Sequence, residues 1–151
     1  MRTIKFRAKA KGSPLIQDGT FVYGCLVLRN ENMPVIDIYG YVDGCGVHYK
    51  HTVDKDTIGQ FTGLTDNNER EIYEGDIVEC VSWNEYFSKD GKPMEPFRRK
   101  MFVDYRKGGF KMVEPMPEPM KDNEWDIIYN GDIVVIGNIH DNPELLKGGQ
   151  E

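Results

Sequence analysis

Long apolar stretches are absent from this sequence. No segment approaches the roughly 20 apolar residues that a helix needs to cross a bilayer. The opening residues, MRTIKFRAKAKG, alternate basic and apolar side chains, so they lack the continuous apolar core of a secretory signal peptide. We therefore expect a soluble protein that stays in the cytoplasm.

Cysteine and histidine are scarce, with three of each in 151 residues. The three cysteines form no CxxC pair, so neither a disulfide framework nor a zinc site is supported. His48 and His51 would point to opposite faces of a strand. A metal site there would need a turn between them and a third ligand, for which Cys45 and Asp54 are nearest. We expect no metal.

Catalytic motifs are also missing. The sequence contains no P-loop, no GxGxxG and no GxSxG. Acidic residues two apart, such as Glu74 with Asp76, fall at turns, where aspartate usually accepts backbone N–H groups rather than serving as an acid or base. The cysteines have no evident neighbouring base. We expect no enzyme, no catalytic residue and no cofactor.

Basic residues are outnumbered, 19 against 25, and the net charge of −6 disfavours a generic polyanion binder. The charge is uneven, at +5 over residues 1–11, +4 over 85–111 and −7 over 114–151. Segments of opposite sign could pair within one protomer or between protomers. We favour the simpler interpretation, which is scattered solvated charge.

What the sequence does have is strand-like alternation. Ile4, Phe6 and Ala8 would share one face of a strand, with Lys5 and Arg7 on the other. Further runs rich in β-branched and aromatic residues follow, separated by glycine turns. The chain is therefore predicted to be mainly β, with one short helical turn at residues 140–146 and another near residue 54.

Three turns join predicted strands. We expect a corner at residues 74–76, a hairpin turn at 107–109 and a hairpin at Asn130-Gly131, where apolar alternation on both sides gives the strongest local hairpin signal. Residues 82–96 and the proline-rich residues 112–124 are predicted to be loops.

Two of these turns lie in segments that are similar to each other in sequence. Residues 66–78 and 122–134 share eight identities in thirteen positions. Local duplication and convergence on good hairpin chemistry both explain the match. This internal similarity predicts that the glycine and aspartate at each turn have structural roles. They are Gly75 with Asp76 and Gly131 with Asp132.

Three anchors resemble the YopX family of bacteriophage and prophage proteins. They are IKFRA at 4–8, TIGQFTGL at 57–64 continuing to EIYEGDIV at 71–78, and VIGNIHDNPELL at 135–146. The resemblance implies a mainly β fold with an SH3-like barrel, a bacterial cytoplasmic location and homo-oligomers, but no established activity. We expect one YopX-like unit, with an N-terminal β region at 1–56, the barrel region at 57–146 and a flexible tail at 147–151.

Two binding hypotheses follow. We prefer a non-catalytic accessory protein that binds itself or a host or phage protein, through exposed strand edges or the proline-rich loop. The alternative is a nucleic-acid-binding small barrel. For either, the candidate interaction surface is a basic stretch interleaved with aromatic residues. It comprises Trp83, Tyr86, Arg98, Arg99, Lys100, Arg106 and Lys107.

Overall fold

The computed structural model describes residues 3–29, 34–42, 45–82, 91, 97–127 and 132–147. Across these ranges the chain is mainly β, which confirms the prediction. It divides into two compact units, residues 1–63 and 64–151. This division falls within a strand, whereas the sequence-based boundary after residue 56 precedes that strand. Within the same ranges, no helix has the length and apolar character that crossing a membrane requires.

Six strands form the first antiparallel sheet, in the order β4-β3-β2-β1-β5-β6. Their bounds are β1 Phe6–Lys9, β2 Phe21–Leu28, β3 Pro34–Val42, β4 Cys45–Thr52, β5 Gly59–Thr65 and β6 Glu71–Tyr73. Gly63 in β5 has φ 89°, a left-handed conformation that glycine adopts without a steric penalty. A 3₁₀ turn at Lys55–Thr57, with the Asp54 side chain accepting the Asp56 N–H, matches the predicted turn near residue 54.

One face of the first unit forms its core. Ala8, Ala10, Val22, Ile36 and Val53 are buried there. Because side chains alternate along a strand, the basic residues of β1 lie on the opposite face. The alternation predicted for β1 is therefore present, but Arg7 is only 4% exposed rather than solvated.

Five strands form the second antiparallel sheet, in the order β10-β9-β8-β7-β11. Their bounds are β7 Asp76–Ser82, β8 Phe97–Arg106, β9 Gly109–Glu114, β10 Asn123–Asp126 and β11 Asp132–Asn138. A 3₁₀ turn at Pro143–Leu146 confirms the predicted C-terminal helical turn. One side of the sheet buries an apolar cluster that includes Val78, Met101, Val103, Met112 and Ile133.

The expected SH3-like barrel is corrected to two open sheets. A barrel closes only when its edge strands pair with each other. In the second sheet, β10 and β11 lie at opposite edges, and no ladder joins them among the described residues. The additional strands expected from the N-terminal half are present as β1 to β4.

The strand pairing predicted on either side of Asn130-Gly131 is not found among the described residues. β10 pairs with β9, and β11 pairs with β7. Ile127 and Ile133 reach the same apolar cluster from opposite edges of the sheet, so burial overrides the local hairpin preference. Residues 128–131, including Gly131, lie outside the described part of the chain.

Two other predicted turns are present. Gly75 lies between β6 and β7 with φ 84°, and Asp76 Oδ2 accepts the Tyr73 N–H at 2.8 Å. Between β8 and β9, Lys107 has φ 52° and Gly108 has φ 80°, the pair of positive values that a type I′ hairpin turn requires. Both turns combine left-handed backbone with strands that re-enter a sheet.

Candidate functional site

The residues predicted to form the interaction surface are only partly described. Trp83 and Tyr86 lie outside the described residues, as do most of the loop predicted at 82–96 and residues 148–151 of the predicted tail. The five basic residues lie on β8 and on the turn that follows it. Their partners decide whether this strand presents free positive charge.

Arg106 is the centre of an ion-pair network. Its Nε donates to Asp104 Oδ2 at 2.8 Å, and its Nη1 donates to Glu124 Oε1 at 3.1 Å and to Asp122 Oδ2 at 3.4 Å. Lys107 Nζ donates to Glu124 Oε2 at 2.6 Å. Hydrogen bonds to Asp104 and then Glu124 raise the pKa of Arg106, while those from Lys107 and Arg106 lower the pKa of Glu124.

The start of β8 is paired in the same way. Arg98 Nη1 lies 2.9 Å from Glu79 Oε1 on the adjacent strand β7. Arg99 Nη1 lies 3.1 Å from Glu114 Oε2, and its guanidinium lies 5.0 Å from the centre of the Trp125 ring. Antiparallel pairing of β7 with β8, and of β8 with β9, brings these acids to the basic strand.

The arginines of β8 therefore form ion pairs with acidic residues of the same unit. Lys100 lies opposite Glu79 in the register of β7 with β8. The expectation of scattered solvated charge is wrong for this part of the chain, because the acidic segment after residue 114 pairs with the basic strand. A phosphate-binding role for the 98–107 stretch loses support, since the three arginines and Lys107 already have carboxylate partners.

A second basic surface lies on the first sheet, on the face opposite its core. Lys5, just before β1, and Arg7 and Lys9 within it alternate with half-buried Phe6 and buried Ala8, and β2 lies beside them. The Arg7 guanidinium lies 4.7 Å and Lys9 Nζ 5.4 Å from the centre of the Phe21 ring. Lys5 Nζ lies 5.9 Å from the centre of the Tyr23 ring. These distances are those of cation–π contacts.

Beside these cations, β2 exposes an apolar stripe. Tyr23 is 42% exposed and Val27 is 40% exposed, and Cys25 between them is also exposed. β2 is an interior strand, hydrogen-bonded to β1 and β3, so this stripe lies on a sheet face and not on a sheet edge. Exposed aromatic and aliphatic side chains in a row are typical of binding surfaces. We call this surface, formed by Lys5, Lys9, Tyr23, Cys25 and Val27, the β1–β2 face.

Two comparisons place the chain among known proteins. The family model described as YopX protein matches residues 5–147. The chain belongs to the YopX family. Its fold is similar to the crystal structure of protein EF1440 from Enterococcus faecalis, at 25% sequence identity and a TM-score of 0.52, over 97% of this chain and 99% of that chain. Among curated proteins, none matches this YopX-family chain.

In the described ranges of this YopX-family protein, no group of three His, Cys, Asp or Glu side chains is placed to hold a metal ion. The Oγ of Ser13 and Nδ1 of buried His51 lie 3.0 Å apart, but the same Oγ accepts the Leu15 N–H at 3.4 Å. This contact joins the loop after β1 to β4, which is a structural role.

Thiol reactivity gives a direct check of the exposure of β2. Burial, and then the charge of Asp132, raise the pKa of the Cys80 thiol, so its reactive thiolate is disfavoured. In a Cys45→Ser background, we expect maleimide to label Cys25 rapidly and Cys80 only after unfolding. Peptide mass spectrometry identifies the labelled residue. Rapid labelling of Cys80 in the folded protein would contradict the described burial.

The β1–β2 face was not among the residues predicted from sequence to bind. Its cations and its aromatic residues belong to different strands, twelve or more positions apart, so no local window contains both. The available signal was the +5 charge of residues 1–11 followed by the aromatic run at 21–23. Joining the two required the antiparallel register that places Lys9 opposite Phe21.

Proposed function

We propose that this YopX-family protein is a non-catalytic interaction module that binds another macromolecule through the β1–β2 face. The observation that carries the proposal is the exposed stripe on an interior strand. Tyr23 and Val27 project from a sheet face beside lysines, which combines an apolar contact area with charge for orientation.

The cellular setting is part of the same proposal. On the family resemblance, we propose a phage- or prophage-encoded accessory protein that acts in the bacterial cytoplasm. Self-association is proposed as well, and light scattering over a range of protein concentrations tests it. A mass that stays that of one chain at all concentrations would remove self-association without affecting the binding face.

Site-specific crosslinking tests the binding face. A photo-crosslinker attached to Cys25, in a Cys45→Ser background, is activated in a bacterial lysate. The matched control carries Cys25→Ser and Tyr105→Cys, because Tyr105 is exposed on the second unit. We expect discrete adducts from Cys25 and few from position 105. Equal adducts from both positions, or none from Cys25, would contradict the proposal.

A further inference from the structure

The edges of the two sheets differ in how well they are protected from pairing with another chain. An edge strand presents unpaired backbone groups, and a short length or an irregular register limits further pairing. Of the described edges, β6 has three residues and β10 has four. A third, β11, has a register shift between Val135 and Gly137. The fourth, β4, is eight residues long, and its register with β3 is continuous from Thr52 to Cys45.

Most of β4 lies in a two-stranded arm. β3 pairs with β2 only over residues 34–37, whereas its residues 38–42 pair with residues 45–49 of β4 and with no other described strand. An isolated pair of strands is marginally stable in water, and a third strand stabilises it. Residues 38–49 contain one charged residue, in a chain that is 29% charged. This composition favours a further strand beside the arm over contact with solvent.

Backbone groups on alternate residues of β4 point away from β3. The N–H of Val53, directly after β4, donates to the Pro34 carbonyl on β3 at 3.2 Å. The Thr52 carbonyl points the other way and accepts the Lys11 N–H at 2.9 Å. Because this direction alternates along an antiparallel strand, three further positions point outward as Thr52 does, and no described strand pairs with them. They are Lys50, His48 and Gly46.

These three positions are complementary to themselves in a second copy of the chain. When two β4 strands pair antiparallel about His48, Gly46 of each copy lies opposite Lys50 of the other. Each of the three opposed pairs can exchange two backbone hydrogen bonds. The exposed Lys50 side chains then lie opposite glycine and not opposite each other, which avoids the penalty for like charges across strands.

The end of β4 favours the same register. β4 begins at Cys45, which would lie opposite His51 of the other copy. The added strand therefore stops before Thr52, whose carbonyl already accepts the Lys11 N–H. We infer that β4 pairs with β4 of a second copy in this register, which joins two first sheets into one. The inference rests on the self-association proposed above and assigns it to one strand.

A second copy suits this edge better than other partners do. Residues 38–49 contain no lysine or arginine, so their side chains offer no cation to the phosphates of a nucleic acid. Among the described edges, β4 is matched in length and regularity only by β4 of another copy, so pairing closes a two-fold dimer and does not continue into a fibre. An extended segment of a different protein is the alternative outcome of the test.

Charge substitutions at Gly46 test the register, because this residue lies opposite Lys50 across the two-fold axis. Gly46→Lys places like charges opposite each other twice in the dimer. Gly46→Glu is the matched variant, since it places opposite charges there. Sedimentation equilibrium of the full chain measures the dissociation constant of each dimer. We expect this constant to be about tenfold higher for Gly46→Lys than for Gly46→Glu.

A charge exchange separates lost pairing from lost folding. The double variant Gly46→Lys/Lys50→Glu restores opposite charges across the axis, so its dissociation constant should return to within about threefold of that of Gly46→Glu. Within one copy, positions 46 and 50 are about 13 Å apart along the strand, so these charges act mainly between copies. A substitution that only unfolded β4 would not be reversed by a second change on the same strand.

Three results would overturn the inference. If Gly46→Lys and Gly46→Glu dimerise equally tightly, self-association stands and its assignment to β4 falls. A trimer or larger assembly of the unmodified chain would contradict pairing about a two-fold axis. An unmodified chain that stays monomeric at all concentrations would remove self-association as well, and would leave the edge to a strand of a different protein. Crosslinking from Cys25 tests the β1–β2 face independently of all three.

Discussion

Replacing Gly24 by alanine should lower the free energy of unfolding of the first unit by about 2 kcal/mol. A Cβ at this position would overlap the carbonyl oxygen of Asp37 on β3 and lie 3.2 Å from Ile36 Cγ2. Because a backbone atom cannot move aside like the end of a flexible side chain, β2 and β3 must separate. Gly24 lies between Tyr23 and Cys25, so the same change should distort the β1–β2 face.

Hydrogen exchange of β2 and β3 peptides, measured by mass spectrometry over a urea series, reports this loss. Gly109→Ala is the matched control, since nothing lies within 4 Å of a Cβ there and its φ is not in the left-handed range. We expect the control to change stability by less than about 1 kcal/mol. Equal effects of the two substitutions would show that β2 and β3 do not approach as closely as described.

Replacing Asp66 by alanine should lower the free energy of unfolding of the second unit by about 3 kcal/mol. This buried carboxylate accepts backbone N–H groups from Asn68 at 2.8 Å, Arg70 at 2.9 Å and Val135 at 2.9 Å. It therefore joins the turn after β5 to β11. Alanine leaves three donors without this acceptor, and the contact with Val135 is buried.

The effect of Asp66 should depend on pH. Burial alone would raise its pKa, but hydrogen bonds from Val135, Arg70 and Asn68 outweigh burial and hold the pKa below its ordinary value. Because the pKa in the unfolded chain is about 3.9, the carboxylate contributes its full stability above that pH and loses it as pH falls further. The difference between the native protein and Asp66→Ala should shrink below about pH 4.

Urea unfolding followed by Trp125 fluorescence, in a Trp83→Phe background, measures both effects in the second unit. Asp126→Asn is the control, because that side chain is exposed and ion-paired with Lys111. We expect the control to cost less than about 0.5 kcal/mol. A difference for Asp66→Ala that stays constant down to pH 3 would contradict the assigned role of the carboxylate.

The strands and turns that depend only on adjacent residues could be predicted from the sequence. Alternation along β1, the type I′ turn at Lys107-Gly108 and the 3₁₀ turn at Pro143–Leu146 each follow from a few adjacent side chains. Such features need no knowledge of distant partners. The mainly β class could therefore be predicted from the sequence.

Strand partners could not be predicted in the same way. Asn130-Gly131 favours a hairpin, yet β10 pairs with β9 and β11 pairs with β7. Ile127, directly after β10, and Ile133 in β11 both lie in the apolar cluster of the second unit. The expected barrel was wrong for a related reason, since closure depends on which edge strands meet. Pairing of this kind is decided by burial over the whole sheet.

The charge of the candidate surface could not be predicted from one strand either. A linear run such as Arg98-Arg99-Lys100 looks like a cationic surface, but adjacent strands supply Glu79 and Glu114 to it. A charge run in one strand says nothing about the strand beside it. On the first sheet, the neighbouring strand β2 places the rings of Phe21 and Tyr23 beside basic residues of the first strand, which no linear window of the sequence shows.

Lysine acetylation with a limiting reagent, with and without the macromolecule that crosslinks to Cys25, compares both basic surfaces in one sample. If binding occurs through the β1–β2 face, Lys5 and Lys9 become several-fold less reactive, while Lys107 and Lys111 on the second unit keep their reactivity. Protection of Lys107 and Lys111 with no change at Lys5 and Lys9 would contradict the account.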